Sequence, residues 1–118
     1  MKRFISIILI SFALLPLNAQ NDYYIKQAQS YQREAEYYTK QALKYEREVD
    51  YYNRQAQGYL KDAEYYSKRK KYDNVNACQQ RAKSATEKAE GYARKARCAR
   101  ERAQDYMRKA EHALKRTK

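Results

Sequence analysis

The sequence predicts an all-α fold, an antiparallel helical hairpin with an alanine/tyrosine coiled-coil seam, expected to be oligomeric. Three observations predict it. First, "YYIKQAQSYQREAE" (23–36), "YYTKQALKYEREVD" (37–50) and "YYNRQAQGYLKDAE" (51–64) follow one another without a gap. The repeat is fourteen residues, or two heptads. Second, the chain after residue 19 has no proline, and Gly58 and Gly91 are its only glycines, so little breaks a helix. Third, an alanine and tyrosine pattern resumes towards the C-terminus in a shifted frame.

Residues 1–19 read as a secretory signal peptide. Met1-Lys2-Arg3 is basic, "FISIILISFALLPL" (4–17) is apolar, and Ala19 puts a small residue before the cut. That apolar run is shorter than the ~20 residues a membrane-spanning helix needs. The mature chain, residues 20–118, is therefore expected outside the cytoplasm, in a periplasm or beyond the cell.

Helix one is expected over about 22–71. Tyr24, Tyr31, Tyr38, Tyr45, Tyr52, Tyr59 and Tyr66 recur every seven residues, and Ala28, Ala35, Ala42, Val49, Ala56 and Ala63 each follow a tyrosine by four. With the alanine line as a and the tyrosine line as d, this is a coiled-coil seam. Its 3.5-residue period implies a left-handed supercoil.

A turn is expected at 72–74 and helix two at about 75–117. Ala82, Ala89, Ala96, Ala103 and Ala110 form a second a line; Ala85, Tyr92, Ala99, Tyr106 and Ala113 form its d line. From Ala63 to Ala82 is nineteen residues, five more than two heptads, a shift that a single stutter or stammer does not absorb. The basic "SKRKK" (67–71) suits a helix C-terminus, and Asp73 or Asn74 is placed to cap the next helix. A bend centred on Asn74 sets Ala63 opposite Ala85, Val49 opposite Ala99 and Ala42 opposite Tyr106, with no layer holding two tyrosines. The g positions of helix one (Gln27, Glu34, Gln41, Glu48, Gln55, Asp62) then face the basic g positions of helix two, acid or amide against base.

Composition limits what such a chain can do. Ile25, Leu43, Val49, Leu60, Val75 and Leu114 are the only branched aliphatics after the leader, too few for a globular core. Without Lys2 and Arg3 the chain carries 24 basic and 14 acidic residues. The excess lies beyond residue 64, where seventeen basic side chains meet six acidic ones. Such a balance favours anionic partners.

Two surfaces are candidates for function. Tyr23, Tyr37, Tyr51 and Tyr65 occupy position c of alternate heptads, outside the seam, and form a candidate interaction stripe. Arg81, Lys88, Lys95, Arg97, Arg102 and Lys109 are candidate contacts for a polyanion. The f line of helix one, Lys26, Arg33, Lys40, Arg47, Arg54, Lys61 and Lys68, is basic throughout. Cys78 and Cys98 lie ~30 Å apart along one helix, too far to pair within a chain, so Cys98 is the candidate for a disulfide between copies. Their spacing fits no zinc motif. The sole histidine, His112, has no evident catalytic partner, and no phosphate-binding loop occurs. We therefore expect no enzyme, cofactor, metal or small-molecule substrate. The expected function is an exported structural or interaction rod that self-associates. The alternative is a cationic module binding lipopolysaccharide, anionic glycans or extracellular nucleic acid.

Overall fold

The computed structural model describes residues 19–117, and all but Ala19 of the assigned leader lies outside them. Two helices, α1 (Ala19–Lys68) and α2 (Tyr72–Lys115), lie side by side along their lengths as an extended hairpin. The molecule measures 77 × 18 × 14 Å. Its long dimension is that of α1 itself at ~1.5 Å per residue. Among the described residues there is no strand, and no helix is long and apolar enough to cross a membrane.

The predicted seam is the core. Ala28, Ala35, Ala42, Ala56 and Ala63 of α1 are buried, as are Ala82, Ala85, Ala89, Ala96, Ala99, Ala103, Ala110 and Ala113 of α2. Ile25 and Cys78 close the two ends of this row, and among the described residues the other buried residues are all alanine. Methyl groups alone bury little area but let the backbones approach closely. The d-line tyrosines lie half-buried over the seam and supply most of the apolar surface removed from water.

The bend differs from expectation in place and in chemistry. It falls on residues 69–71, not 72–74, so the "KRKK" run makes the turn instead of ending the helix before it. The amide of Lys70 donates to the Ser67 carbonyl and that of Lys71 to the Tyr66 carbonyl, each at 3.0 Å. This is a Schellman closure, which needs one left-handed residue. That residue is Lys70, at φ 60°. Lys71, not Asp73 or Asn74, occupies the N-cap of α2 and makes no side-chain cap bond. Asp73 instead sits in the first turn, where its charge suits the helix dipole. Lys70→Gly is expected to raise stability by about 0.5–1 kcal/mol, because glycine takes this conformation without a Cβ clash. Chemical denaturation of both proteins measures the difference.

Moving the bend moves the register by one heptad. Ala28 clusters with Ala110 and Ala113, with Tyr31 packed against them. The pairs expected about Asn74 are thereby replaced: Tyr106 does not meet Ala42 but stands between Tyr31 and Tyr38, at 6.1 and 5.8 Å between ring centres. Tyr92 stands likewise between Tyr45 and Tyr52, at 6.1 and 5.8 Å. Both outer contacts are parallel stacks, with planes 6° and 7° apart. The expectation that no layer holds two tyrosines concerns single layers; these stacks join tyrosines of neighbouring layers across the seam.

Candidate interaction surfaces

Each tyrosine doublet divides its labour. The second ring (Tyr24, Tyr38, Tyr52 or Tyr66) leans over the seam, and the first (Tyr23, Tyr37, Tyr51 or Tyr65) stands outside it with its edge to its neighbour. The ring centres are 5.3, 5.1, 5.0 and 5.3 Å apart and the planes 69–79° from parallel. An edge-to-face pair of this kind satisfies the ring quadrupoles and fixes the outer ring's direction. The outer rings remain 60, 54, 53 and 52 % exposed, in order. Between them on the same line lie Ser30, Lys44 and Gly58, all exposed. A side-chain carbon added at Gly58 would meet nothing within 4 Å. The predicted stripe is thus a row of separated, outward-standing rings along α1.

The α2 cations do something the sequence reading missed. Lys88 lies 5.5 Å above the Tyr52 ring, Arg102 5.6 Å above Tyr38, and Arg116 5.7 Å above Tyr24. Lys95 covers Tyr92 at 5.2 Å and Lys109 covers Tyr106 at 4.9 Å. The g-line cations were expected to meet the g-line acids of α1. Among the described residues no such ion pair forms, and from Lys88 onwards each of these cations settles over a ring face instead. A d-line tyrosine presents a broad negative face closer to the seam than any carboxylate, which is the reason for the change of partner. Lys88, Lys95, Arg102 and Lys109 remain exposed, as do Arg81 and Arg97.

One ion pair does bridge the helices, off the predicted lines. Arg100 grips Glu46 with two hydrogen bonds of 2.8 Å, donated from Nε and Nη2. The guanidinium holds the Glu46 carboxyl below its usual pKa, chiefly through these bonds and against the opposing effect of burial. Because the folded value is depressed, the pair's stabilisation is present above about pH 4.5 and is lost as pH falls through the folded value. Both side chains are more than a third exposed, and solvent screening holds the net gain to roughly 0.5 kcal/mol. Glu46→Gln is expected to remove about that much at pH 7 and progressively less as the pH falls below the folded value, read from denaturation curves over that range.

Arg97 and Arg100 line a shallow open groove with Glu46, Val49, Asp50, Ala93 and Ala96. His112 lies in a second open trough beside Asp105, Arg108 and Lys109. Cys98 is free and exposed, whereas Cys78 is free and buried in the seam. Among the described residues no group of three or more His, Cys, Asp or Glu side chains is placed to hold a metal ion. One signal for the doublets was readable in the sequence: an acid precedes each of them (Asp22, Glu36, Asp50, Glu64) and a base follows two residues after it (Lys26, Lys40, Arg54, Lys68). No family model, curated protein or solved structure matches this chain.

Proposed function

We propose that this chain is an exported structural and interaction protein, a rigid basic coiled-coil rod that self-associates. The observation that carries the reading is the row of four half-exposed tyrosines, Tyr23, Tyr37, Tyr51 and Tyr65, repeated every fourteen residues on one line of α1. Large rings held edge-on and left open to water in a regular row are the kind of apolar surface that marks a docking face. The hairpin is also thin, and a second layer of helices would add the burial that an alanine seam lacks. Export rests on the sequence pattern of residues 1–19.

Sedimentation of the mature chain tests this. Dimers or larger species are expected at micromolar concentrations, and Tyr37→Ala with Tyr51→Ala is expected to weaken association at least ten-fold while helicity persists. A wild-type chain that stays monomeric at all concentrations rejects the reading.

A second reading has its own support. The exposed cations of α2 recur at heptad spacing on one edge, which suits an anionic envelope polymer or extracellular nucleic acid. Such binding would be independent of sequence and would fall steeply with salt. A sulfated polysaccharide and single-stranded DNA serve as probes; no binding at low salt removes it.

A further inference from the structure

Four consecutive cations make the joint of the hairpin. Lys68 ends α1, Arg69 and Lys70 form the turn, and Lys71 precedes α2. The chain is also open there over an unusual length. Ser67 through Asn74 are all exposed, whereas no other run of exposed residues among the described ones is longer than three. From this joint we propose that the bend is a cleavage site for an endopeptidase of trypsin-like specificity, and that the cut protein persists as a two-chain rod. The inference goes beyond both readings above and requires neither.

An endopeptidase of that class seats one Lys or Arg side chain in an acidic pocket and holds the backbone around the bond extended in its cleft. A helix denies it that shape, because the amides stay bonded to the carbonyls of the preceding turn. Arg69, Lys70 and Lys71 are the cations that stand between the helices. Arg116 lies beyond α2, where a cut trims the C-terminus and leaves the hairpin whole. Opening the bend breaks the bonds from the amides of Arg69, Lys70 and Lys71 to the Tyr66 and Ser67 carbonyls, and lifts the Arg69 guanidinium from its place 4.5 Å above the Tyr65 ring. Three gains oppose that loss. Lys70 leaves its left-handed φ of 60°. The first turn of α2 unwinds without giving up a side-chain cap, since it has none. Four adjacent like charges move apart. Straightening Ser67–Asn74 also uncovers no buried side chain. Local openings of this kind need far less free energy than global unfolding, and cleavage follows their population.

In the cut itself water adds across one peptide bond, such as Lys70–Lys71. The water oxygen joins the Lys70 carbonyl carbon, the C–N bond breaks, and both water protons end on the Lys71 nitrogen. The α1 arm then ends in a carboxylate and the α2 arm begins with an ammonium. What holds the arms together lies away from the joint: the buried alanines from Ala63 and Ala82 onwards, the stacks on Tyr92 and Tyr106, and the Glu46–Arg100 pair. One chain becomes two, and the arms are free to exchange between copies.

The experiment uses the mature chain with trypsin as the probe. Brief digestion under native conditions is expected to give two fragments that meet within residues 68–71, read by intact mass. Cutting there is expected to be at least about ten-fold faster than within either helix. The cut protein is expected to sediment as the uncut rod does and to keep its helicity. First cuts inside α1 or α2, or arms that part on cutting, overturn the inference. The variant Lys68→Gln, Arg69→Gln, Lys70→Asn, Lys71→Gln removes the cations and keeps a residue suited to the left-handed position. It is expected to survive trypsin at least about ten-fold longer than the natural chain. Should that variant, equally helical, be cut as quickly, the basic joint is not the site and the inference fails.

Discussion

Tyr106→Ala is expected to cost about 3 kcal/mol and to lower the melting midpoint by at least about 10 °C. Tyr106 is stacked on Tyr38, contacts Tyr31 on its other side, and carries the Lys109 ammonium 4.9 Å from its centre. Removing it deletes two aromatic pairs of about 0.5–1.5 kcal/mol each, one cation contact, and the ring's own burial. The seam has only alanines beside it, which cannot spread to fill the gap. Tyr92→Ala should cost as much, since Tyr92 has the same surroundings between Tyr45 and Tyr52 under Lys95. Tyr72→Ala is the control: that ring is 60 % exposed, and its loss should fall within about 0.5 kcal/mol. Thermal unfolding followed by circular dichroism separates the three. Equal effects at Tyr106 and Tyr72 would show that the cross-helix stack contributes nothing.

Ala42→Asp is expected to destabilise the hairpin by 3 kcal/mol or more, about the cost of leaving a buried charge without a partner. Leu43→Asp, one residue on, should change stability by less than about 0.5 kcal/mol. The contrast inverts ordinary intuition about side-chain size. Ala42 is wholly enclosed, at 0 % exposure, whereas the larger Leu43 is 43 % exposed. The register sets Ala42 level with Ala99, so two backbones approach closely there and leave no path for a carboxylate to reach water. Denaturant titration of the two variants gives both numbers. A small effect at Ala42 would mean that the helices separate easily at mid-rod.

Much of this structure was legible in the residues. Both helices, both alanine lines, the tyrosine line over the seam and the exposed outer rings follow from period alone. A period carries its own ambiguity, however. Sliding one helix by seven residues still sets each a residue against a d residue, so the pattern could not distinguish a bend at Asn74 from one at Lys70. Turn chemistry decides between them, and no glycine marks the left-handed position, because Lys70 takes it. The cations over the rings escaped for a different reason. Charge patterns suggest carboxylate partners, while here the nearest negative surface is a tyrosine face. The Glu46–Arg100 pair occurs once, at an e position on each helix, and a single occurrence leaves no rhythm to detect.

The stacks centred on Tyr92 and Tyr106 are copies of one another, fourteen residues apart on α2 and matched by fourteen on α1. The rod is thus assembled from interchangeable cassettes. Inserting one cassette into each arm at the same level would lengthen it by ~21 Å, leaving its cross-section and its closing loop untouched. Reach, in such a molecule, is an integer that gene duplication can count up or down.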